Sequence, residues 1–406
     1  MKSSSPFEPV LTNTSAGNAS TTLDPVTDTD TETTNANVRF GTMRTRNQLC
    51  QKLEEVYKQS PARCHAKIDS VHAQYLGKFN ENQRVYATCQ HADPRKSTIH
   101  HNFPLVESHK MATYETAQDQ FVTVDGIKFA YRRFGSEHGV PLTLCMHFRG
   151  TMDHWDPALI NPIAAKRPII TIDNAGVGRS GGEVPKQFAQ WAQYYINVLR
   201  AIGVNKTDVL GFSMGGCVAQ LVALNGQGLV RRLILCGTMP STGEGTVSAP
   251  SLEPFNRLKA AKTEEEQKEA FLMSMFNTSD KSRVAGEAAW KRITGARKDR
   301  SDHVSPANSH RQGIAFAKFM DPKQAKDASY NRLEELRIPV LIANGSEDLL
   351  LPTENSIVIW KKLKNAQAQL HLYPDSGHGF LWQYADQFSK LINVFLGDEP
   401  SLSSRL

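Results

Sequence analysis

The strand-like run from Thr207 to Leu210 leads directly into Gly211-Phe212-Ser213-Met214-Gly215-Gly216, and a segment rich in small residues, MGGCVAQLVALNG, follows. Strand, sharp turn and helix is the setting in which a G-x-S-x-G motif lifts a serine hydroxyl out of the end of a parallel sheet. Glycines on either side of Ser213 leave room for a strained turn that bulkier residues would block. A chain built around such a turn needs a sheet whose strands are joined by helical crossovers.

The neighbouring sequence has that rhythm. FVTVDGIKFAYRRFG alternates apolar and polar residues around Asp125-Gly126, which predicts a tight hairpin. PLTLCMHF, WDPALINPIAA, RPIITIDNAG, QFAQWAQYYINVLRAIG, KTDVLGFS, MGGCVAQLVALNG and RRLILCGT then alternate buried-strand runs with amphipathic helices. A charged, helix-prone insert over about 240–337 interrupts the alternation and reads as a cap over the active site. PVLIANGSED, a helix through IVIWKKLK, QLHLYPDSGHG and one final helix, LWQYADQFSKLINVFLG, resume it. The expected organisation is a Ser/Thr/Asn/Asp-rich disordered tail over 1–42, a partly helical accessory extension over 43–115, a catalytic domain over 116–398 and a flexible tail over 399–406.

A serine hydroxyl becomes a nucleophile when a base removes its proton, and the base must be held by an acid. The acid is expected after a later strand, and Asp348 follows Val340 to Ala343 in Asn344-Gly345-Ser346-Glu347-Asp348; Glu347 reads as a solvated loop charge. His378, in the glycine-flanked loop Tyr373-Pro374-Asp375-Ser376-Gly377-His378-Gly379, supplies the base. The order Ser, Asp, His separates this arrangement from those of chymotrypsin and subtilisin. Two backbone N–H groups must also meet a developing oxyanion. Met214 N–H is one candidate and Phe148 N–H, in Met146-His147-Phe148-Arg149-Gly150, is the other. His147 is expected to brace that loop, and Arg149 to form a loop ion pair or to touch an acidic substrate.

Residues 118–398 resemble the α/β-hydrolase superfamily, and HFRGTMDHWDPALI and IDNAGVGRSGG are similar to segments of its cofactor-free haloperoxidase-like and esterase-like members. The resemblance implies an α/β fold: a mostly parallel eight-stranded sheet with helices on both faces and a helical cap. Phe148 stands where the usual His-Gly oxyanion motif has glycine. The chain is also similar to fungal hydrolases of polyketide toxin clusters, which implies a role in secondary metabolism.

The expected activity is hydrolysis of an ester or acyl thioester of a small organic substrate, with no metal or organic cofactor. The same triad serves carbon–carbon bond hydrolysis and acyl transfer, and a catalytically inert binding protein is the alternative of another class. Ser213 at the turn disfavours epoxide hydrolase and dehalogenase chemistry, which use Asp there. The net charge of +6 is spread along the chain, without the basic cluster that nucleic acid requires. No apolar run is long enough to span a bilayer, and MKSSSPFEPV lacks the apolar core of a secretory signal. Cys145, Cys217 and Cys236 read as small buried hydrophobes, whereas Cys64, His65, His72, Cys89 and His91 match no zinc spacing. Ser404-Arg405-Leu406 resembles a peroxisomal address, which implies an import receptor as partner. Its removal from a fluorescent fusion is expected to disperse a punctate distribution; an unchanged pattern contradicts the address.

Overall fold

The computed structural model describes residues 111–397 apart from His303. The tail over 1–42, the extension up to residue 110, its Cys64, His65, His72, Cys89 and His91, and the C-terminal Ser404-Arg405-Leu406 lie outside the described residues.

The hairpin forms where the alternation places it. β1 (Gln120–Val124) pairs antiparallel with β2 (Ile127–Gly135), Val124 facing Ile127. Asp125 and Gly126 both adopt positive φ, 51° and 76°, as a two-residue turn matched to the twist of the strands demands. β3 (Leu142–Cys145), β4 (Pro168–Ile172), β5 (Thr207–Phe212), β6 (Val230–Cys236), β7 (Val340–Gly345) and β8 (Ala368–Tyr373) complete one eight-stranded sheet. Its order is β1-β2-β4-β3-β5-β6-β7-β8, parallel from β4 through β8 and antiparallel at β1–β2 and β2–β4.

The central strands are apolar on both faces because both are covered. Leu233 and Leu235 of β6 join one buried cluster with α2 (Phe188–Ala201) and α3 (Met214–Asn225), while Ile234 and Cys236 join a second with α1 (Pro157–Ala164). Val340 and Ile342 of β7 likewise alternate with Leu341 and Ala343. The packed region begins ahead of β1: Tyr114 is fully buried, its hydroxyl donates to the Met152 carbonyl at 2.9 Å, and Arg297 binds the Tyr114, Glu115 and Ala117 carbonyls.

Between β6 and β7 the insert folds as α4 (Glu253–Ala260), α5 (Glu264–Met275), α6 (Asp280–Gly295) and α7 (Pro306–Met320). Its seat on the sheet's loops is strongly polar. Arg292 grips Asp156 at 2.6 Å, Arg300 donates to the Asp153 carbonyl, Asn308 to that of Gly176 and Arg311 to that of Val184. Asp153 in turn pairs with the fully buried Arg132 at 2.6 Å.

After β7 comes α8 (Glu354–Lys362). The single final helix expected from LWQYADQFSKLINVFLG is broken into α9 (Phe380–Gln383) and α10 (Ala385–Leu396). Tyr384 leaves helical geometry (φ −111°, ψ 32°) because its hydroxyl donates to the Pro374 carbonyl at 2.8 Å and its ring packs on Tyr373.

The start of α3 lies against the end of β3. A Cβ on Gly215 would sit 2.2 Å from the Cys145 carbonyl oxygen and 2.6 Å from that of Met146. Gly215→Ala is therefore expected to push α3 off β3 and lower stability by about 2 kcal/mol, read as a fall in the urea midpoint at unchanged slope. An unshifted midpoint contradicts this packing.

Candidate active site

Ser213 sits between β5 and α3 with φ 59° and ψ −125°, a backbone conformation a non-glycine residue adopts only when its surroundings enforce it. Three contacts do so: Ser213 N–H donates to the Cys236 carbonyl at 2.9 Å, Gly216 N–H donates to the Ser213 carbonyl at 2.8 Å, and Thr238 Oγ1 donates to that same carbonyl at 2.7 Å. Thr238 is fully buried beside Gly216, at the end of β6. Nothing in its local sequence marks it, because its partner lies 25 residues away.

Asp348 and His378 meet at the ends of β7 and β8. His378 Nδ1 lies 2.7 Å from Asp348 Oδ2, with both side chains fully buried. The other oxygen, Oδ1, accepts from the Leu350 and Leu351 amides at 2.9 Å each, which fixes the carboxylate's rotation. A carboxylate only accepts, so the shared proton sits on Nδ1 and Nε2 keeps its lone pair. Nε2 is buried without a hydrogen-bond partner among the described residues, and no hydrogen bond joins it to Ser213. The His378 ring packs 4.9 Å from that of Phe212, the residue before Ser213. Glu347 is exposed and bonds the Asn277 amide, as does Asp375 beside His378, so Asn277 of the insert bridges the acid and base loops. That bridge, like Thr238, was illegible in the sequence.

Phe148 and Met214 stand at the same cavity as Ser213, and among the described residues neither backbone amide has a protein acceptor. His147 braces the loop as expected. Its Nδ1 lies 2.8 Å from the Phe148 carbonyl, which can only accept, so Nδ1 carries the proton. The expected ion pair of Arg149 is absent among the described residues. Its guanidinium instead donates to the Leu258 carbonyl near the C-terminus of α4, where the helix dipole favours a cation. Its backbone, at φ 61°, sends N–H to Gln312 Oε1 at 2.9 Å.

The cavity is about 40 Å³. Phe148, Met214 and Leu351 line it from the sheet side; Phe255, Gln312 and Phe316 line it from the insert. No charged side chain does. Cys145, Cys217 and Cys236 are buried free thiols, as read from the sequence. Among the described residues no group of His, Cys, Asp and Glu could hold a metal, and no helix is long and apolar enough to cross a membrane.

Burial pushes the His147 imidazole from about 6.5 down to about 4, the Phe148 carbonyl opposing and nearby His378 adding to the shift. Between these values the unfolded chain binds more protons than the folded one, so stability present above pH 6.5 is lost as pH falls toward 4. Thermal melts from pH 7 to pH 4.5 are expected to decline less steeply in His147→Gln than in the wild type; parallel declines refute the assignment.

A family model described as the alpha/beta hydrolase fold matches residues 138–384. A 2-hydroxymuconate semialdehyde hydrolase of Pseudomonas putida is 28% identical over 252 residues, covering 59% of this chain and 80% of that protein. The solved structure of an alpha/beta hydrolase fold protein from Chitinophaga pinensis aligns with TM-score 0.64 and 30% identity, over 71% of this chain and 100% of that one. An esterase from Rhodococcus sp. ECU1013, 22% identical with TM-score 0.53 over 70% of this chain and 99% of its own, has the same fold. Sheet order, serine turn and family match agree: the chain belongs to the α/β-hydrolase fold family and is a hydrolase.

Proposed function

We propose that the protein is a serine hydrolase in which Ser213 is the nucleophile, His378 the base and Asp348 the residue that orients it. The observation that carries this reading is the buried 2.7 Å His378–Asp348 pair, with Nε2 left unpartnered in a ring packed against the residue before Ser213. Hydrogen bonds of this kind are often long until substrate binds, so the separate Ser213 and His378 are compatible with it. Ser213 Oγ attacks a substrate carbonyl as its proton passes to Nε2. The Met214 and Phe148 amides stabilise the oxyanion, and the leaving alcohol or thiol departs with the proton. Water, deprotonated by His378, then releases the acid and restores Ser213. This sequence calls for neither metal nor organic cofactor.

Ester or thioester cleavage fits the uncharged, aromatic cavity. Carbon–carbon bond hydrolysis is the second reading, favoured by the similarity to a 2-hydroxymuconate semialdehyde hydrolase. It uses the same attack, but expels a carbanion that must be protonated as it leaves.

Ser213→Ala is expected to lower turnover by about 10⁴-fold or more and to abolish labelling by a fluorophosphonate. Labelling that persists in the variant sinks the assignment, and a wild type that no serine-directed probe labels points to the inert alternative. Comparing p-nitrophenyl esters, acyl-CoA thioesters and 2-hydroxymuconate semialdehyde as substrates separates the two reactions.

A further inference from the structure

Gln312 has a job to do at each end of its amide. It lies on α7, is 1% exposed and lines the cavity with Ser213. The Arg149 backbone N–H, 2.9 Å away, can only donate, so the atom it meets is Oε1 and the amide's orientation is fixed. That leaves Nε2, a double donor, without a hydrogen-bond partner among the described residues. That donor is open to the cavity, and a bound apolar group that displaces water from it leaves it unpaired at a cost in free energy. Phe148, Phe255, Phe316 and Leu351 offer none, and the cavity lining has no cation to hold a carboxylate.

We propose that Gln312 is a specificity-determining residue: its Nε2 donates a hydrogen bond to an uncharged acceptor oxygen, a carbonyl, ether or hydroxyl, on the substrate chain bound beside Ser213. This rests on the reading of Ser213 as nucleophile and names the class of substrate that reading leaves open. An all-carbon chain leaves the donor unpaired, and a carboxylate chain enters a cavity with no countercharge. Gln312 is held in register with the oxyanion loop, because its other end is tied to Arg149.

The test uses the full-length protein and four fluorophosphonates: one with an unbranched hexyl chain, and three isosteres with an ether oxygen replacing the third, fourth or fifth carbon. Wild-type protein is expected to react with at least one ether probe about tenfold faster than with the hexyl probe, the scale of a single buried hydrogen bond. Gln312→Glu, assayed at a pH where its carboxyl is ionised, keeps an acceptor for Arg149 N–H but removes the donor, and Gln312→Leu removes both. Both variants are expected to lose the ether preference, the ether and hexyl probes reacting at equal rates whatever the absolute rate. Equal rates for all four probes in the wild type overturn the proposal and leave the Ser213 reading intact. A preference that survives in Gln312→Glu does the same. Absence of wild-type labelling overturns both.

Discussion

The strained backbone of Ser213 is the constraint on which the site depends. Holding a non-glycine residue at φ 59° costs on the order of 1–3 kcal/mol, and neighbours from three strands offset it. β6 contributes the Cys236 carbonyl and leads to Thr238, β5 delivers the chain into the turn, and β3 receives the start of α3 against bare glycine. Glycine at 211 and 215 is a matter of space here: a Cβ at either position would overlap backbone atoms. The turn is thus a product of sheet packing as much as of its own residues.

Around that turn, the loops at the ends of the parallel strands are tied to one another and to the insert by polar side chains. Asn277 bridges the Asp348 and His378 loops, and Gln312 and the Arg149 side chain tie the Phe148 loop to α7 and α4. These ties use directional bonds where a sheet uses apolar area, and they surround a cavity whose own lining is apolar.

The periodicity of the strands, the Asp125-Gly126 turn and the G-x-S-x-G context were legible in the chain, because each depends on residues close in sequence, and Asp348 and His378 were marked by following the apolar runs of β7 and β8. The break at Tyr384 was not, since a helical pattern continues across it and only the Pro374 carbonyl and Tyr373 ring draw the residue out. The charge of Arg149 is visible in sequence and suggests a loop ion pair or an acidic substrate, whereas the helix end that receives it is not visible there.

By itself, then, the sequence determined the α/β architecture and the serine turn, through local pattern and strand-end punctuation. Tertiary structure alone decided how closely Asp348 and His378 pair, that Thr238 and Asn277 brace the loops, and that Gln312 reaches the cavity with a donor to spare. The physical reason is one of range: a hydrogen bond 25 to 163 residues long in sequence leaves no periodic trace in the chain that makes it.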